Sequence, residues 1–350
     1  MELSQALQLL ADQKHLADAD LSGADLAGRD LSDCHLEKVK LRGANLRGTN
    51  FSGSVLQNCE LVGANLGAAS FINAQIMQCK LQGAVLDSAN ATGANWSQVD
   101  FSQVQAPGAK FDEGFLESCT LVGASLVGAS LFKTSFHECV LSGADFSAAN
   151  LTRLTIMDTD LRTVNLSGAQ LVQTYLKACN LAGQRFAGCD VTMSIFNEAN
   201  LQGADFSGLR LDRTSFMRAQ LQKARFAGVK GQYTALLAAD LTLADFSGAT
   251  FEMSDASDAD FTGVRCEGSR WHMSVFQRIK ARDANFAKAS LVYCDFSNAD
   301  LSDADFSHTD LSGANLHDVL ERGTRWDGAQ RQGVRETDPA LARAERWQAA

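Results

Sequence analysis

Nearly every fifth residue of this chain from Leu16 to Leu316 is large and apolar, and that period constrains the fold more than any other feature. Of 61 such positions, 55 hold Leu, Phe, Ile, Val or Trp, the exceptions being Ala91, Ala106, Gly231, Ala256, Cys266 and Ala281. Two residues earlier in each unit, 55 of 61 positions hold Ala, Ser, Thr, Cys, Val or Gly. The misfits there are Lys14, Arg29, Leu154, Gln184, Leu209 and Ile279. Eighteen of the 20 phenylalanines occupy the large position, and 25 of the 28 glycines sit two residues after it. A period of five fits neither the 3.6 of a helix nor the two-residue alternation of a continuous strand. It fits a very short strand followed by a corner. In such a strand the small residue and the large one point to the same side. The small residue lets backbones approach, the large one fills the centre, and glycine eases a corner where positive φ is expected. Repeated, the unit stacks into a solenoid whose coils pair with those above and below.

The spacing of the aromatic residues sets the number of units per coil. Phe186, Phe206, Phe226 and Phe246 lie 20 apart, as do Phe286 and Phe306; Phe196 and Phe216, then Phe276 and Phe296, form a set offset by ten. With four units per coil these become two aromatic columns on opposite walls, facing each other across the core. Three units per coil would scatter them. Cys59 and Cys79, then Cys119, Cys139 and Cys179, fall on one column in the same way.

The units Ala19-Asp20-Leu21-Ser22-Gly23, Ala24-Asp25-Leu26-Ala27-Gly28, Ala44-Asn45-Leu46-Arg47-Gly48 and Ala314-Asn315-Leu316 resemble the pentapeptide-repeat family, whose consensus is A(D/N)LXX. The resemblance implies an all-β fold, a right-handed quadrilateral β-helix with short helical caps at the termini. Residues 1–15 read as an N-terminal helical cap with Leu3, Leu7 and Leu10 on one stripe. Residues 16–320 form the β-helix of about 15 coils, roughly 70 Å long at a strand spacing of about 4.8 Å. Residues 321–350 form a C-terminal cap or tail, with a helix opening at Asp338-Pro339. Leu341, Ala344 and Trp347 would share one face of that helix, and Leu341 and Trp347 are the candidate capping contacts. In some family members a C-terminal segment makes the dimer, so the resemblance also offers Leu341 and Trp347 as homodimer contacts.

Charge is arranged in bands. The 41 acids exceed the 31 bases, a net of −10, which argues against direct nucleic-acid binding. Residues 205–230 and 265–288 are basic, and 231–264 and 289–320 acidic. One outward column reads Arg185, Asp205, Arg225, Asp245, Arg265, an alternating ladder on stacked coils. The acid-rich end offers Asp295, Asp300, Asp303, Asp305 and Asp310 as a partner-binding surface, expected to be exposed and replaceable without unfolding.

No reacting constellation is visible. Eight of nine cysteines occupy the small inward position and Cys266 the large one, so packing accounts for them. Buried reduced thiols point to a cytoplasmic protein. The six histidines have no metal-ligand spacing, no CxxC pair occurs, and no GxSxG, P-loop, HExxH or dinucleotide fingerprint is present. An enzyme is not expected, and neither is a cofactor or metal. The longest uncharged stretch, Leu61 to Cys79, is interrupted by Asn65, Asn73, Gln75 and Gln78, so no membrane span is expected. No basic residue precedes Lys14, and no secretory signal is expected. Two functional readings remain. The first is a scaffold that binds a protein partner of unknown identity, within a larger bacterial assembly or a secretion-associated system. The second comes from the resemblance: some relatives mimic B-DNA and bind DNA gyrase or topoisomerase, inhibiting or protecting it. The basic bands favour the scaffold.

Overall fold

The structure is a computed structural model and describes residues 2–345. Two compact units follow one another in the chain, one ending at Tyr175 and the other beginning at Leu176. The first opens with helix α1 (Leu3–Gln13), whose Ala6 and Leu10 are buried while Leu3 and Leu7 are half-buried beside them. Lys14 ends the helix in the left-handed region at φ 55°, its N–H donating to the Leu10 carbonyl.

Eight short strands then recur at 20-residue intervals: β1 (His15–Ala17), β2 (His35–Glu37), β3 (Val55–Gln57), β4 (Gln75–Met77), β5 (Asn95–Ser97), β6 (Phe115–Glu117), β7 (Ser135–His137) and β8 (Thr155–Ile156). They form one parallel sheet in chain order, pairing Leu16 with Leu36, Leu36 with Leu56 and so on. The other faces are tied by single parallel bridges in the same register, such as Asp20 to Lys40, Asp25 to Asn45 and Asp30 to Asn50. Four faces per coil and a 20-residue rise are therefore direct observations.

The second unit repeats this plan. Its longer strands are β9 (Lys230–Gln232), β10 (Thr250–Glu252) and β11 (Arg270–His272), again parallel. Bridges continue to Asn315–Arg335, so coil geometry runs past residue 320, where the sequence pattern weakens. Trp326, which still obeys the period, stacks on Phe306 at 4.7 Å. Helix α2 (Pro339–Glu345) follows.

The large positions from Leu16 to Leu316 are buried without exception. Phe206 lies between Phe186, 4.5 Å away at an interplanar angle of 11°, and Phe226, 5.2 Å away at 3°. The opposite column meets it edge-on, with Phe216 at 5.3 Å. Where a large position is vacated, a neighbour fills in. Cys266 interrupts the phenylalanine column, and Trp271 occupies the space, 5.5 Å from Phe246 and 5.0 Å from Phe276. A Cβ placed on Gly231 would meet the Phe251 ring at 3.0 Å. Polar small residues are satisfied across coils: Thr49 donates to the Leu26 carbonyl at 2.8 Å and Ser54 to that of Leu31 at 2.6 Å. The Cys59, Cys79 and Cys119 thiols make the same contact 23 residues back, at 3.3–3.4 Å.

The corners turn at the residue two after the large position, which takes positive φ at glycine and at nearly every other residue found there, Thr163 excepted. All 25 glycines at that position do so, but Ala148 (φ 55°) and Tyr293 (φ 58°) do too. A residue with a Cβ is disfavoured in this left-handed conformation by roughly 1–2 kcal/mol. The coil geometry imposes the corner, and glycine merely suits it.

Candidate interaction surface

The outward residue just before each large position carries 17 of the 41 acids, more than any other position of the repeat. Its side chain is not free. Asp20 Oδ1 accepts the Ser22 N–H, Asn50 that of Ser52, Asp100 that of Ser102, and Asp245 that of Ser247. This clasp to the amide two residues on is the natural bond of a short Asp or Asn at a turn. The D/N of the repeat is thus a fold-forming residue first.

Four of the five aspartates of the expected acidic surface are placed accordingly, the fifth, Asp303, lying at a corner. Asp295 accepts from Ser297 N–H (2.9 Å), the Gln277 amide (2.8 Å) and the Asn315 amide (2.9 Å). Asp300 accepts from Ser302 N–H (3.1 Å) and Arg282 Nε (2.6 Å). Asp305 holds Ser307 N–H and the Arg325 guanidinium, and Asp310 holds the amide and hydroxyl of Ser312. These four are half-buried; only Asp303, at a corner, is exposed. Their bridges run to four different partners, Asn315, Leu320, Arg325 and Gln330, one per face. Residues five apart sit on successive faces, so these carboxylates encircle the coil instead of forming one exposed surface. That corrects the expectation, and four units per coil is the reason.

Charge pairing along the columns is extensive. The ladder Arg185, Asp205, Arg225, Asp245, Arg265 is bridged at every step and continues through Asn285 to Asp305 and Arg325. Arg225 lies 3.6 Å from Asp205 and Arg265 3.7 Å from Asp245. Burial works to raise the Asp205 and Asp245 carboxyls, and the serine hydrogen bonds with the arginines on either side leave both below the ordinary carboxylate value. The first unit has a second ladder that sequence reading missed: Asp20, Lys40, Glu60, Lys80, Asp100. Glu60 there takes both Lys80 (3.1 Å) and Arg42 (2.7 Å). Counting 20 along the sequence from Asp20 would have found it.

At the C-terminus Asp338 caps α2, its Oδ1 accepting from the N–H groups of Ala340 (2.8 Å) and Leu341 (3.2 Å). The side chain that α2 buries is Ala342. Leu341 is 47% exposed, so the structure corrects its expected role as a capping contact: it lies one position off the inward stripe. Trp347 lies outside the described residues. The helix is tied down instead by His317, which sequence reading missed. Its Nδ1 accepts the Asp338 N–H at 3.1 Å, and its Nε2 lies 3.4 Å from a Glu345 carboxylate oxygen.

One hollow opens in the first unit, lined by His137, Glu138, Val140, Met157, Asp158 and Asp160 among others. There β8 is shortened to two residues, and Thr159 bonds the Met157 carbonyl in its own coil. Gly143 N–H accordingly donates to the Thr163 hydroxyl. Among the described residues no three His, Cys, Asp or Glu side chains are grouped to hold a metal ion, and no helix is long and apolar enough to cross a membrane.

The chain matches the family model described as pentapeptide repeats (8 copies) over residues 19–58, 49–86, 79–117, 194–230, 236–270 and 282–318. A second model, a pentapeptide repeat region, matches residues 129–206. Among solved structures it is similar to HetL, a pentapeptide repeat protein involved in heterocyst differentiation regulation from the cyanobacterium Nostoc, at 19% identity over 95% of this chain and 96% of that one, TM-score 0.17. It is also similar to a trypsin-treated variant of QnrB1, a plasmid-mediated fluoroquinolone resistance protein, at 19% identity over 79% and 97% of the two chains, TM-score 0.26. A thylakoid-lumen pentapeptide repeat protein of Arabidopsis thaliana shares 26% identity over 37% and 67%, TM-score 0.16. None of these likenesses bears on what this chain binds. No curated protein matches it.

Proposed function

The chain belongs to the pentapeptide-repeat family, and from that premise we propose that it is a non-enzymatic scaffold holding outward side chains in fixed columns for a protein partner. We place it in the cytoplasm of a bacterium, within a larger assembly such as a secretion-associated system. The observation that carries this reading is the pairing of its charges. A DNA mimic works by presenting uncompensated carboxylates to a basic saddle. Here the acid excess is taken up by clasps to backbone amides and by arginine and lysine neighbours on adjacent coils. Nine buried thiols fit a reducing compartment.

Two measurements test it. Purified protein at low micromolar concentration is expected to leave gyrase supercoiling unchanged, and a tagged chain is expected to retain a stoichiometric protein partner through high-salt washing. Salt-sensitive inhibition of supercoiling, removed by changing Asp295, Asp300, Asp303, Asp305 and Asp310 to Asn, would instead establish the DNA-mimic reading.

A further inference from the structure

One corner of the second unit departs from the rest of the molecule. At the same position of the 20-residue repeat, the first unit carries polar residues or glycine: Asp33, Gly53, Asn73, Gly93, Glu113, Lys133. From residue 193 to 293 the position reads Met193, Arg213, Tyr233, Met253, Met273, Tyr293, and then returns to Gly313 and Gly333. All six have φ between 46° and 59°, the conformation that favours glycine. Met193 and Met253 are 40% exposed, Tyr233 50%, Met273 51% and Tyr293 62%. Arg213 lies over the Tyr233 ring at 5.9 Å, and the Tyr293 ring covers Gly313, whose added Cβ would come within 2.5 Å of it. Five large apolar side chains thus occupy a strained backbone position and face solvent in one column, with Arg213 interposed between Met193 and Tyr233. Fold stability explains neither property. At a rung spacing of about 4.8 Å the column is about 24 Å long. A patch of this kind on a soluble fold marks a contact surface.

The flanking charge indicates what it contacts. The adjoining face carries Lys230 on β9 and Arg270 on β11, two rungs apart on either side of Thr250. Asp212 is taken by Arg210, Glu252 accepts from the Gln232 amide, and Glu267 holds Lys288. Among the described residues Lys230 and Arg270 project into solvent beside the column with no carboxylate within ion-pair distance. On the other side, Asp295 is half-buried and Asp255 exposed, each with one carboxylate oxygen engaged by the backbone N–H of the serine two residues on, Ser297 and Ser257.

We propose that the Met193–Tyr293 column, with Lys230 and Arg270 beside it, is a docking surface for an acidic peptide segment of another protein that carries aromatic or aliphatic anchors. The methionine and tyrosine side chains receive the anchors, since thioethers and phenols adapt to varied apolar partners while tolerating water when empty. The two unpaired cations receive the carboxylates. This surface rests on the scaffold reading above and specifies its partner class.

The test uses the full chain and two fluorescein-labelled 16-residue peptides with the same Phe and Leu positions, one carrying Glu and the other Lys between them. Anisotropy titration is expected to show the acidic peptide binding at least tenfold tighter, with the difference shrinking as salt rises. The variant carrying Tyr233→Gly, Met253→Gly, Met273→Gly and Tyr293→Gly places glycine where the corner favours it. It is expected to melt no lower than the wild type and to lose binding at least tenfold. Lys230→Gln with Arg270→Gln is expected to erase the preference for the acidic peptide. Equal binding of both peptides, undiminished binding by the glycine variant, or a glycine variant that melts well below the wild type each overturns the proposal. So does sedimentation showing a wild-type dimer that the glycine variant converts to monomer, because the column would then serve a second copy. If the peptide fails while the tagged chain still retains a partner, only this surface is lost; if both fail, the scaffold reading falls with it.

Discussion

Replacing Phe206 by Ala removes one ring from the middle of the aromatic stack, and the structure allows the cost to be worked out. The side chain is fully buried, so truncation carries the transfer and cavity cost of a large aromatic residue, about 3–5 kcal/mol. It also breaks two stacked contacts, with Phe186 and Phe226, and two edge contacts, with Phe196 at 6.0 Å and Phe216 at 5.3 Å. Such pairs add about 0.5–1.5 kcal/mol each beyond their area, partly counted already in the truncation cost. The upper half of the range, about 4–5 kcal/mol, is therefore expected. Phe206→Leu keeps most of the volume and loses only the ring contacts, so about 1–2 kcal/mol is expected for it. Urea unfolding followed by fluorescence gives the totals. Native-state hydrogen exchange locates the loss, because stability in a stacked repeat is carried between neighbours. Protection is expected to fall first in the coils holding Phe186 to Phe226. A loss below about 2 kcal/mol for Phe206→Ala, or equal losses for Ala and Leu, would refute the assignment of this stack as a closely packed column.

Thiol reagents are expected to label almost none of the nine cysteines in the native protein and all nine in denaturant, since each is buried and burial pushes Cys266 and Cys294 upward, the latter to about 12. Rapid native labelling of several would contradict this; mass spectrometry after alkylation counts them. In acid, burial alone would raise Asp295, Asp300 and Asp305, but hydrogen bonds and neighbouring cations leave them below the ordinary 3.8. Their contribution is therefore complete above about pH 4 and lost as pH falls through the lowered values, so the urea midpoint should drop below about pH 4 and stay flat between about 5 and 8. Asp295→Asn keeps the oxygen that accepts the Ser297 N–H and should be nearly neutral in melting temperature, whereas Asp295→Ala strands three donors and should cost about 1–2 kcal/mol.

The core was legible in the sequence because one rule sets it: a large residue every fifth position, with Phe206 and its column fixing four units per coil. The helix start at Asp338-Pro339 was legible for the same local reason, a cap side chain followed by the one residue pre-set for the first helical position. The candidate surface was not. Asp295 to Asp310 form a cluster along the chain, but a coil separates sequence neighbours onto different faces and joins residues 20 apart, so linear bands of charge mislead. The seven-residue α2 left its inward side ambiguous; Ala342, not Leu341, turned in because His317 and Asp338 fix the helix's entry. The Met193–Tyr293 column escaped notice because its members occupy positions normally scored as glycine sites.

The core and the surface of this fold count in different numbers. Inside, any large residue can follow any other, so inserting or deleting one five-residue unit would leave the interior as apolar as before. Outside, the ladder alternates in sign from Arg185 to Arg265 and so repeats only after two circuits, and the same change would break the charge pairs between the coils on either side of it. A single-circuit duplication would stack a rung of this ladder on its own copy, like charge on like, so only a two-circuit duplication is invisible to both layers, while quarter-circuit changes are penalised by charge alone. Gene lengthening across such a ladder should proceed in steps of two circuits, twice the 20-residue bridge register, with the paired charges acting as the proofreader that the interior cannot supply.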